Sequence, residues 1–218
     1  MNNKLIIIIS IISIIISVIY VILSYFGILR YVKMYIYSPE NFIDTYKKLD
    51  TGDVNNRVVI SITTTPDKLK HIKPVINSLL DQTVKVDLIS ITTPSNQVDN
   101  IPDCIKKAVS VYKTGIDYGD ANSLIPVILR EGELNTKIIT VGDNTIYGKD
   151  FIEHLIEKSI KQPDSVIYTN NTNSINLKSG AIFPVKIFNE DFVSTPVPVN
   201  DYVKEKININ YRENYRKL

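Results

Sequence analysis

Three short polar runs carry the side chains best suited to chemistry: Thr63-Thr64-Thr65-Pro66-Asp67, Asp117-Tyr118-Gly119-Asp120 and Gly142-Asp143-Asn144. Each joins hydroxyl, carboxylate or carboxamide groups to a turn-forming Pro, Gly or Asn, so each can offer hydrogen bonds to a polar ligand. Each also has a plain local reading. Residues 63–67 can cap a helix with Pro66 near its start, and Asp143-Asn144 can cap the turn into a following helix. Further along, Asn200-Asp201-Tyr202 adds another carboxylate. Other chemistries lack their residues. A single cysteine, Cys104, excludes an internal disulfide or a cysteine-only zinc site and reads as a small buried side chain. Two histidines, His71 and His154, leave little for a histidine-built metal centre and read as helix-face residues. There is no Walker loop, glycine-rich dinucleotide fingerprint, HExxH or Ser-His-Asp order.

The elements around these runs decide where they point. Residues 57–63 are β-branched and apolar and predict a buried strand. Residues 67–80 carry apolar side chains at helical spacing, with Pro74 as a kink. Strands are expected at 86–92, 109–112, 137–141 and 165–169, and helical segments at 101–108, 122–130 and 149–161. A loop running into a strand is expected over 178–184 and a final helix over 201–209. Short strands alternating with helices imply parallel βαβ units, whose ligands bind beyond the carboxyl ends of the strands. All three polar runs fall at such ends.

A second signal lies before the first strand. Leu5 to Leu29 is 25 residues without a charge, longer than the roughly 20 that span a bilayer as a helix. A cleaved signal peptide would have a shorter apolar core and a small-residue cleavage site, so a retained single-pass anchor is the favoured reading. Lys4 before the span and Arg30 with Lys33 after it nearly balance, and leave orientation open by charge alone. Ser10, Ser13, Ser17, Tyr20, Ser24 and Gly27 recur every three or four residues. They form either a seam through which two copies could associate or a chance scatter of serines. The chain then divides into a short tail (1–4), a transmembrane helix (5–29), a stem (30–56), an α/β domain (57–211) and a charged tail (212–218). With 25 basic against 23 acidic side chains, no nucleic-acid partner is expected. A lone glycosylation sequon, Asn170-Asn171-Thr172, does not settle the compartment.

The order of segments resembles the start of GT-A fold glycosyltransferases, in particular family-2-like enzymes of giant viruses and some bacteria. The resemblance rests on the strand before Thr64, the helix ending Ser78-Leu79-Leu80-Asp81-Gln82-Thr83, and Asp117-Tyr118-Gly119-Asp120-Ala121-Asn122-Ser123-Leu124, which is similar to that group's Asp-Tyr-Gly-Pro-Ala-Thr-Lys-Leu. It covers roughly 57–183 and implies a Rossmann-like, mostly parallel sheet behind one transmembrane helix, in a type II membrane protein. It further implies a nucleotide-sugar donor held by Thr64, Thr65, Pro66, Asp67, Asp117, Tyr118 and Ser123. Mg²⁺ or Mn²⁺ at Asp143 and Asn144 would bridge the diphosphate. Asp201 would act as general base on a glycan or protein acceptor.

Two departures bear on activity. Relatives would read Val-Asp-Asp-Asp where this chain reads Val141-Gly142-Asp143-Asn144, and Ser123 stands where the pattern has Lys. The expectation is therefore a membrane-anchored glycosyltransferase-like protein, transferring sugar if active. The alternative is a non-catalytic membrane-bound binding or scaffold protein on the same fold.

Overall fold

The computed structural model describes residues 3–69, 71–94, 101–116, 118–131, 133–169 and 177–188. The sequon, the expected helix 201–209 and the tail 212–218 lie outside them.

Six strands form one sheet: β1 (Val58–Thr63), β2 (Leu88–Pro94), β3 (Ser110–Thr114), β4 (Lys137–Val141), β5 (Ile167–Tyr168) and β6 (Ala181–Pro184), in the order β3-β2-β1-β4-β6-β5. The four successive neighbours β3, β2, β1 and β4 are parallel, and β6 runs antiparallel to both β4 and β5. This is a Rossmann-like α/β fold of the GT-A type, with helices on both faces. Alternation along the strands divides the core into two layers. Ile60, Ile62, Ile139 and Val141 pack with Leu79, Ile152 and Phe151 on one face. Val59, Ile138 and Phe183 pack with Leu124 and Val127 on the other.

The run 67–80 is two helices rather than one kinked helix: α4 (Pro66–Leu69) and α5 (Lys73–Leu80). Pro74 falls in the first turn of α5, where its missing N–H costs nothing, so it starts a helix instead of bending one. The short α6 covers Asp103–Lys106. A 3₁₀ turn (Gly119–Ser123) leads into α7 (Ile125–Glu131), and α8 covers Phe151–Lys161.

At the amino end, α1 (Asn3–Tyr25) contains a stretch, Lys4–Tyr25, with an 18-residue window of mean hydropathy 3.2, long and apolar enough to cross a membrane and not buried in the protein. The Ser17 hydroxyl donates to the Ser13 carbonyl at 2.9 Å, so it is satisfied within its own helix. Gly27, at φ 71°, then redirects the chain into α2 (Ile28–Ile36). The span 30–56 carries the rest of α2 together with α3 (Glu40–Lys47), and both pack on α5. Met34 and Phe42 are buried in the first core layer. The Asn77 carboxamide donates to the carbonyls of Met34 (2.7 Å) and Tyr37 (2.9 Å), closing the exposed end of α2 onto the domain.

At the amino end of β4, Lys137 and Asp53 form a buried pair at 2.9 Å. Asp53 also accepts from the Asn55 and Asn56 backbone N–H groups and the Asn56 side chain. Burial pushes its carboxyl up, but the hydrogen bonds from Lys137, Asn56 and Asn55 outweigh that and hold it below its ordinary value.

Candidate functional site

In the order β3-β2-β1-β4 the strand order reverses between β1 and β4, the switch point beside which ligands bind in open parallel sheets, and the crevice expected there lies between the loops after these two strands. Ile62 lies beside Val141 in the ladder, which brings Thr64-Thr65 and Gly142-Asp143-Asn144 to neighbouring strand ends. Thr64 is buried and Thr65 exposed; the Thr65 carbonyl accepts from the backbone N–H groups of Lys68 and Leu69 at 3.1 Å each, starting α4. Pro66 and Asp67 form the first two residues of that helix.

One turn into α4, Lys68 Nζ reaches Asp143 Oδ1 at 3.2 Å. The Asp143 side chain is only 4% exposed and that of Lys68 is 46% exposed, so a fixed carboxylate holds an ammonium that still meets solvent. Asn144 is exposed, and its Oδ1 lies 3.4 Å from the Thr145 hydroxyl. No group of three His, Cys, Asp or Glu side chains converges among the described residues, and the Asp143 carboxylate faces the Lys68 ammonium.

Gly142 explains why a second carboxylate is missing. A Cβ there would run into the Lys178 backbone carbonyl, so the position has no room for any side chain unless the turn at 177–179 moves. The Gly142 N–H donates to the Tyr147 hydroxyl at 2.7 Å, and that hydroxyl lies 3.4 Å from the Lys178 carbonyl. Tyr147 N–H donates to Ser78 Oγ at 3.1 Å, tying the loop to α5. Burial, and the nearby Asp143 charge, push the Tyr147 phenol far above its ordinary value, so it stays a neutral bridge.

The 3₁₀ turn packs across β1 on the face bearing Val59. Strand alternation puts Ser61, Thr63, Ser90, Thr92 and Thr140 on this same face. Ser123 is buried there, and its hydroxyl, like those of Ser61, Thr63, Thr92 and Thr140, has no hydrogen-bond partner among the described residues. Tyr118 is half-buried, with its backbone N–H donating to Asn122 Oδ1 at 2.9 Å. Asp117 and Asp201 lie outside the described residues. The structure thus gathers Thr64, Thr65, Asp143 and Asn144 at the crevice and sets Ser123 against the adjoining sheet face. Sequence reasoning missed Lys68 and Tyr147. Lys68 was detectable only as the first cation after the Thr-Thr-Thr-Pro-Asp run, one turn into the helix that the run caps.

Compared with known protein families and with curated proteins, the chain matches none. Among solved structures it is similar to 4-diphosphocytidyl-2C-methyl-D-erythritol synthase, with a TM-score of 0.52 and 12% identity over 71% of this chain and 87% of that one. A structure of the same synthase from Anaerococcus prevotii DSM 20548 aligns over 82% of this chain and 92% of that one at 12% identity, with a TM-score of 0.45, too low to weigh. At such identity the likeness is one of fold.

Proposed function

We propose that this chain is a single-pass, membrane-anchored domain of the transferase type, its domain outside the cytosol, that binds a nucleotide sugar in the crevice between the loops after β1 and β4. The Lys68–Asp143 pair carries the reading. Asp143 engages one N–H of the ammonium and leaves two donors for a second anion. A lysine so held stabilises a diphosphate directly, as a positioned cation does wherever negative charge accumulates. Lys68 then supplies the charge that the resemblance assigns to a metal and to the Lys position taken by Ser123. Binding on this reading needs no divalent cation. The fold likeness supports the nucleotide half of the ligand, since the similar synthase bears a diphosphocytidyl group in its name. The resemblance to GT-A glycosyltransferases supports a sugar, a glycan or protein acceptor, and Asp201 as general base.

A second reading, a binding domain without turnover, is favoured by one observation: the Lys178 carbonyl closes over Gly142, where the relatives' first metal-binding carboxylate would stand.

Thermal unfolding of the full chain in detergent with UDP-, GDP- and CDP-linked sugars tests binding, each run with Mn²⁺ and with EDTA. The expected result is a rise of several degrees with one donor, equal in both conditions and lost in Lys68→Ala. No rise with any donor sinks nucleotide binding, and a rise confined to Mn²⁺ sinks the role of Lys68. Acceptor-dependent release of nucleoside diphosphate separates transfer from binding alone.

A further inference from the structure

α2 has two unlike faces. Arg30 Nε donates to Asp81 Oδ2 at 2.9 Å and Arg30 Nη1 to the Tyr147 carbonyl at 2.9 Å, while Met34 is fully buried. Lys33 lies 3.8 Å from Asp81 and 4.8 Å from the Phe42 ring centre. That face is locked to the domain. On the other, Ile28, Tyr31, Val32, Tyr35 and Ile36 recur at spacings of three and four and are 44–69% exposed. They form a continuous apolar and aromatic stripe one helix long. Nothing among the described residues covers it.

We propose that this stripe lies in the surface of a lipid bilayer, at the boundary of headgroups and acyl chains, so that α2 is an interfacial helix holding the domain flat against the membrane. The inference rests on the reading of α1 as a membrane span. At about 1.5 Å per residue, the 23 residues of α1 measure about 34 Å, close to the roughly 30 Å of a hydrocarbon core. Tyr25 therefore ends at the membrane surface. Only Phe26 and Gly27 separate it from α2, and Gly27 in the left-handed region ends one helix and turns the chain into the next. The stripe consequently begins within one helical turn of lipid. Its composition fits that depth: the tyrosine phenols, 3.1 Å apart, give polar tips to an otherwise apolar surface, as residues at membrane–water boundaries do. A soluble partner would have to displace lipid to reach it.

The test uses the full chain in phosphatidylcholine vesicles. The background is Cys104→Ala, with one new cysteine at a time carrying an environment-sensitive fluorophore: Ile15→Cys in α1, Val32→Cys and Ile36→Cys on the stripe, and Leu134→Cys on a distant exposed turn. Spin labels are placed on the lipid near the headgroup or at mid-chain. The proposal expects positions 32 and 36 to be quenched several-fold more by headgroup-proximal labels than position 134 is, and position 15 to be quenched by mid-chain labels. If position 15 is quenched while 32 and 36 behave like 134, the interfacial helix is wrong and the anchor stands. If position 15 also escapes, both fall. Labels at 32 and 36 that are shielded from aqueous iodide yet untouched by lipid quenchers would place another protein chain on the stripe and overturn the proposal.

Discussion

Strand β4 has a lysine–aspartate pair at each end, and the two are built for different work. At its amino end, Lys137 and Asp53 are 6% and 1% exposed, and the carboxylate is filled by three further N–H donors from Asn55 and Asn56. At its carboxyl end, Lys68 and Asp143 are 46% and 4% exposed, and no other hydrogen bond engages the Asp143 carboxylate among the described residues. A pair buried on both sides, its carboxylate filled by neighbouring N–H groups, serves to join the segment before β1 to the sheet. A pair open on the lysine side keeps donors in reserve. Charge alone does not mark a site; unused charge beside a strand end does.

The comparison breaks most readily at the closed end. Asp53→Asn leaves Lys137 buried without its counter-charge, and is expected to cost about 3 to 5 kcal/mol of stability at neutral pH, read by chemical denaturation. Its pH dependence has a definite sign. Because the folded carboxyl titrates below its ordinary 3.8, its stabilisation is full above that pH and is lost as the pH falls through the lower folded value. The gap between wild type and Asp53→Asn should thus narrow in acid, and a gap constant from pH 6 to pH 2.5 would show the pair to be irrelevant.

A smaller loss is expected at Gly142. Gly142→Asp forces a side chain against the Lys178 carbonyl and should cost about 1 to 3 kcal/mol without creating metal dependence. A Gly142→Asp protein that is as stable as wild type and gains Mn²⁺-dependent nucleotide binding would refute this account of the loop. The smallest stability effect belongs to the open pair. Lys68→Ala should cost about 1 kcal/mol, because Asp143 is buried but the lysine end of the pair is open and water can replace the ammonium there, while abolishing the nucleotide-induced rise in melting temperature. Asp143→Asn sharpens the distinction: it keeps Lys68 but frees it from its tether, so binding should weaken without vanishing.

Much of the scaffold was legible in the sequence because burial and strand chemistry coincide there. β4 is five consecutive buried residues and was read at its full length. Parallel strands followed from strand–helix alternation, which put Thr64-Thr65 and Asp143-Asn144 at carboxyl strand ends; that these two strands are neighbours is visible only in the sheet order. Helix limits were less legible. Pro74 can bend a helix or start one, and only the non-helical residues 71–72 decide between them. The site was legible in position but not in chemistry. The partner of Asp143 lies 75 residues earlier, and no local pattern announces such a contact. The glycine at 142 read as a lost acid, whereas the carbonyl that fills its space belongs to a turn 36 residues later, in a stretch of weak pattern.

On the membrane anchor proposed above, the packing of 30–56 bears on how the domain could be released. Anchored proteins with a slack stem can be shed: one proteolytic cut releases an intact ectodomain. Here the corresponding segment supplies Met34 and Phe42 to the core, and Arg30 to Asp81 and to the Tyr147 carbonyl beside the crevice. A cut after Tyr37 would strip away Arg30 and Met34, and one after Leu49 Phe42 as well, so either product is expected to unfold. Limited proteolysis in vesicles should accordingly find the span 38–50 resistant while the domain is folded. If α1 is the membrane anchor proposed above, release from the membrane and a folded domain exclude each other in this architecture.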